Sequence, residues 1–150
     1  MATRTRNPGS DWSASCAPDP VQVHHAWDRD ELALVATGRC WLAVEAALMP
    51  SVTTMQRIGP ARLGPVLVHP EADRAWGLAP AGVRQLLDDL PQLTVHPAGW
   101  ALRCPPADRY LDELGWLEKP DGSDLLTDPA MLGAAFGPGG NLHLSTGTVR

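Results

Sequence analysis

The chain has 150 residues, 44% hydrophobic and 19% charged, with 12 basic against 17 acidic residues and a net charge of −5. That length supports one hydrophobic core rather than two, and the acid surplus speaks against a protein bound to phosphate backbones, which carries a basic surplus. No apolar run approaches the ~20 residues of a membrane-spanning helix, and residues 1–20 lack the apolar core of a signal peptide, so a cytoplasmic location without a membrane partner is expected.

In chain order, residues 1–20 read as a disordered leader rich in Ser, Pro, Asp and Arg. Val21 to Asp30 suggests a short helical turn entering the domain. Glu31–Ala36 is an apolar run, and Thr37-Gly38-Arg39 a turn after it. Cys40–Ala46 alternates as a strand, and the two runs are expected to pair as a hairpin. A helix follows to Ile58, with Ser51 as its expected cap. Val66-Leu67-Val68 and Arg74–Leu78 read as two strands around the His69–Asp73 turn. Pro80 opens a helix in which Val83, Leu86, Leu87 and Leu90 recur at helical spacing until Pro91. Leu93–His96 and Trp100–Cys104 read as a strand and its return, and Trp116-Leu117 as one more. Thr127 is the expected cap of a last helix ending at Phe136.

This order predicts an α+β fold: a single mixed or antiparallel sheet of about six or seven short strands with about three helices packed on it. The domain is expected over residues 21–136, with a flexible tail over 137–150.

The charge is uneven. Asp108, Asp112, Glu113, Glu118, Asp121, Asp124 and Asp128 are offset only by Arg109 and Lys119, so residues 108–128 hold the whole net charge. The stretch reads as a solvated edge or as a docking face for a basic partner. The odd cysteine count (Cys16, Cys40, Cys104) predicts free thiols, with Cys40 and Cys104 buried in strands. The six tryptophans serve core packing in a chain with one Phe and one Tyr. The alternative is a base-stacking platform, against which the acidic charge counts.

Few residues stand in a pattern that carries a known chemistry. Gly137-Pro138-Gly139-Gly140 lacks the Lys-Ser/Thr of a phosphate loop. His24, His25, His69, His96 and His143 show no metal-ligand spacing, and no nucleophile elbow is present. Asp88 and Asp89 diverge on their helix and read as a solvated face.

Several segments do carry a resemblance. They are Val35-Ala36-Thr37-Gly38-Arg39, Leu63-Gly64-Pro65-Val66-Leu67, Trp76-Gly77-Leu78-Ala79-Pro80-Ala81-Gly82, Trp116-Leu117 with Pro120-Asp121-Gly122, and Leu126-Thr127-Asp128-Pro129. In this order, from about residue 24 to 136, the chain resembles small actinobacterial bifunctional DNA primase/polymerase proteins, relatives of the prim-pol domain. In active members of that family the strand after the Thr-Gly turn carries two carboxylates one residue apart, which hold metal ions for nucleotide transfer, and a Ser-x-His and a third acid follow. Here the strand reads Cys40-Trp41-Leu42-Ala43-Val44-Glu45. Only Glu45 is acidic, and no Ser-x-His lies downstream.

The resemblance therefore implies a degenerate member: a non-catalytic accessory or interaction protein of DNA replication or maintenance, with a mobile element as one setting. Two alternatives stand beside it. One is a protein-binding module using the acidic 108–128 stretch. The other is an enzyme whose unrecognised site is assembled from distant residues. No catalytic, cofactor-binding or metal-binding residue is assigned and no cofactor is expected. Arg39, Glu45, His69 and His96 are the candidates for a functional surface. A protein partner is compatible with this reading, and nucleic acid is unsupported by the charge.

Overall fold

The computed structural model describes residues 7–87 and 90–136. The expected tail over 137–150, His143 and the Asp88-Asp89 pair lie outside the described residues.

Among the described residues the order is α1 (Pro8–Ser15), α2 (Pro20–Asp28), β1 (Ala33–Ala36), β2 (Leu42–Ala47), α3 (Leu48–Ile58), β3 (Val66–His69), β4 (Arg74–Ala79), α4 (Val83–Leu87), β5 (Thr94–Val95), β6 (Ala101–Cys104), β7 (Gly115–Glu118) and α5 (Pro129–Phe136). The fold is α+β, as expected. It has two sheets rather than one: a five-stranded sheet in the order β5-β2-β4-β3-β7, and a pair β1-β6. Every pairing is antiparallel.

The expected β1–β2 hairpin does not form. β1 pairs with β6, Val35 opposite Leu102, while β2 pairs with β4 and β5. The Thr37–Arg39 turn therefore carries the chain from one sheet to the other. The expected return of β6 onto β5 fails likewise. Alternation sets which face a strand buries, but not which strand it pairs with.

The five-stranded sheet is covered on both faces. Leu42, Val44, Ala46, Val66, Val68 and Ala75 pack with Ile58 of α3, Val83 and Leu87 of α4, and Leu132 and Phe136 of α5. From the other face Leu67 and Leu78 pack against Val35, Leu102 and Cys104 of the small sheet, Val23 and Trp27 of α2, and Ala14 of α1. All six tryptophans belong to or abut this second core, which gives them a packing role.

The leader is not structureless. Asn7 accepts from the Ser10 amide at 3.0 Å and Pro8 stands first in α1, a strong helix start. Gly9 lies against the Pro120 carbonyl and Ser10 Oγ accepts from the buried Ala107 amide at 2.8 Å, so α1 docks on the domain. Two expected caps are also corrected. Ser51 sits inside α3 and its hydroxyl donates back to Ala47 O at 2.7 Å, whereas Asp73 Oδ1 accepts the Leu48 amide at 3.2 Å. Thr127 Oγ1 accepts from the buried Gly64 amide at 2.8 Å, leaving Asp128 to accept from the Ala130 amide at the start of α5.

Candidate functional site

Glu45 is the only charged residue in β2, and its neighbours on the same strand, Val44 and Ala46, point to the opposite face. Trp76 stands directly across from it on β4, and Arg74 is two residues away on the same face of that strand. The Trp76 indole donates to Glu45 Oε1 at 3.0 Å, and Arg74 Nε lies 3.4 Å from Oε2. His96 enters from the end of β5, where its amide bonds to Ala43 O. Its Nε2 lies 2.7 Å from Glu45 Oε1. Trp100 stacks on the His96 ring, 3.7 Å between centroids and 6° from parallel.

Backbone and side-chain bonds fix this arrangement. Thr37 Oγ1 donates to Pro97 O at 2.9 Å, the Thr37 amide bonds to Trp100 O, and the Gly99 amide bonds back to Thr37 O. Gly38 adopts φ +109°, and a Cβ there would stand 2.8 Å from the Ala98 Cβ, a conformation and an approach that suit glycine. The Thr37–Arg39 and Pro97–Gly99 turns thus clasp each other and hold His96 over Glu45.

Of the four candidates, the structure unites Glu45 and His96. Arg39 is exposed on the neighbouring turn. His69 lies two strands away on β3, 3.5 Å from Glu113. Glu113 also hydrogen-bonds Glu71, and the shared contact and like charge raise the Glu71 carboxyl above its ordinary value. The reading by sequence missed Arg74, Trp76 and Trp100. Arg74 and Trp76 are detectable in retrospect, because both fall on the period-two face that Glu45 occupies.

The prim-pol resemblance implies metal ions at this strand, but the residues do not fit them. A pair of divalent ions needs several oxygen ligands. Glu45 offers one carboxylate, already engaged by an indole, an imidazole and a guanidinium, and the same-face position two residues earlier is Ala43. Among the described residues no group of three or more His, Cys, Asp or Glu side chains is placed to hold a metal ion.

A separate open cleft of about 580 Å³ lies between α1, α2 and the 106–109 segment, lined by Asp11, His24, Asp28, Asp30, Asp108 and Arg109 among others. Arg109 spans it, 2.6 Å from Asp30 Oδ1 and 2.9 Å from Trp27 O. Comparison with protein-family models, with curated proteins and with solved structures found no match.

Proposed function

We propose that this chain is a non-catalytic, prim-pol-like interaction protein that serves DNA replication or maintenance. One observation carries the non-catalytic part: the lone acid of the strand is spent on its own fold. Glu45 is held by Trp76, Arg74 and His96 and works as a structural anion. The order of the motifs from Val35 to Pro129 supports the kinship, and it alone supports the link to DNA. Primer extension with magnesium or manganese tests the reading. No incorporation above background is expected, and incorporation abolished by Glu45→Ala would overturn it.

A second reading is favoured by the placement of the acidic stretch. β7 is an edge strand of the large sheet. Around it Asp108, Asp112, Glu113, Asp121 and Asp124 are exposed, with Tyr110 at 60% and Leu117 at 48% exposure. An edge strand amid carboxylates suits an extended basic peptide that adds a strand. Binding of a peptide alternating Lys and Val, weakened by salt and by an Asp112→Asn/Asp121→Asn double variant, is the expected result. Binding indifferent to both excludes the electrostatic version.

A further inference from the structure

We propose that β1 is a dimerisation edge: two copies of the chain join β1 to β1 antiparallel about a two-fold axis, and the β1–β6 pair becomes one continuous sheet across both copies. The Thr37 amide bonds to Trp100 O, so the hydrogen-bonded pairs of β1 and β6 fall on alternate residues, Val35 with Leu102 and Ala33 with Cys104. The amides and carbonyls of Leu34 and Ala36 therefore point away from β6. Among the described residues no hydrogen bond reaches them from any other element. The Leu34 side chain is 63% exposed beside this edge.

The other strand edges are protected against a second copy, and β1 is not. Val95 O of β5 accepts from Arg84 Nη1 at 3.0 Å. β6 carries the exposed Arg103 and runs into Pro105-Pro106, which offer no amide. β7 is ringed by carboxylates, which repel the same carboxylates of another copy. Ala33-Leu34-Val35-Ala36 holds no charge, no Pro and no Gly. An uncharged apolar edge of this kind is a template for a further strand. The small sheet gains most from one, because two strands alone are marginal.

Charge at the two ends of the strand selects a second copy as the occupant and fixes its direction. Glu31 precedes β1 and is exposed, 3.1 Å from Arg29. Arg39 follows β1, exposed at the end of the Thr37–Arg39 turn and next to Cys40, which is also exposed where a buried strand thiol was expected. A parallel copy sets like charges together at both ends. An antiparallel copy sets Glu31 towards Arg39 of the partner subunit, and Arg39 towards Glu31 of the partner subunit. Pairing Leu34 with Ala36 of the partner subunit brings this about, with Val35 on the axis. This register makes a hydrogen bond with every outward group of β1, and the interface is isologous and closed. The two Leu34 side chains meet across the axis on the outer face.

The test is sedimentation velocity of the full chain over a range of concentrations. The parent is expected to approach twice the single-chain mass as concentration rises. Because Leu34 is exposed, Leu34→Lys keeps the parental circular dichroism spectrum, and it is expected to give a monomer throughout by setting two ammonium groups together. Arg39→Glu is expected to raise the dissociation constant about tenfold, as an exposed attraction at each end becomes a repulsion. Adding Glu31→Arg to Arg39→Glu is expected to restore the parental affinity. A parent that stays a monomer up to about 1 mM, a dimer that Leu34→Lys leaves intact, or an Arg39→Glu dimer of parental affinity would each overturn the proposal.

Discussion

Glu45 Oε1 lies 2.7 Å from His96 Nε2, and the same oxygen accepts the Trp76 indole at 3.0 Å. One carboxylate therefore joins β2, β4 and the end of β5 on the sheet face that also carries the second core. Removing it with Glu45→Ala leaves a half-buried imidazole and indole without their acceptor and is expected to cost about 1–3 kcal/mol. Glu45→Gln keeps an acceptor for Trp76 and is expected to cost less. Urea denaturation measures both. A Glu45→Ala protein as stable as the parent would mean that the cluster does not hold the sheet together.

Gly77 sits in the middle of β4, between Val44 and Val66, and a Cβ there meets nothing within 4 Å. The site opens on a small apolar cavity of about 30 Å³ lined by Met55, Leu132 and Phe136. Gly77→Ala is expected to stabilise the protein by about 0.5–1 kcal/mol, because it restricts the unfolded chain at a position where the added methyl clashes with nothing. Gly64→Ala is the contrasting case: its Cβ would stand 2.6 Å from Leu126 Cα and from the Thr127 amide nitrogen. Thermal melts are expected to move up for the first and sharply down for the second.

How much of this was legible in the sequence depends on the range of the interaction. Helical spacing marked α4, an early Pro129 with an apolar face marked α5, and the β-branched run Val66-Leu67-Val68 marked β3, because those signals act within a few residues. The pairing of β1 with β6 depends on contacts some 70 residues apart, so the nearer hairpin was the natural and mistaken expectation. The α1 helix was missed because its short polar sequence gains its stability from docking, through Gly9 on Pro120 and Ser10 on Ala107. At the site, Glu45 and His96 were named singly. Their union depends on the clasp of two turns that no local pattern reports.

The docking of α1 is tested by Gly9→Ala. Its Cβ would lie 1.8 Å from the Pro120 carbonyl oxygen, so the helix must shift away. Faster chymotryptic cleavage at Trp12 and a lower melting point are expected. Cleavage at the parental rate would show that α1 does not depend on this contact.

Asp112 and Glu113 form a two-residue hairpin turn, with φ +50° and +69° between the mutually bonded Leu111 and Leu114. Glycine suits the second position. Glu113→Gly is expected to gain about 1 kcal/mol by removing left-handed strain, and it also removes the hydrogen bond and the like charge that raise the Glu71 carboxyl. A carboxyl raised by the fold disfavours the native state once ionised. That penalty is present above the folded value and fades as the pH falls towards the ordinary 4.5 and below. The advantage of the variant in denaturation titrations is therefore expected to be larger at pH 7 than at pH 4. A constant advantage would assign the gain to the turn alone.

The central claim is that Glu45 serves the fold and not a metal ion. Paramagnetic resonance of equimolar Mn²⁺ with the parent and with Glu45→Gln tests it most directly. The account predicts the same free-ion signal for both proteins. A loss of free-ion signal with the parent that Glu45→Gln restores would contradict it.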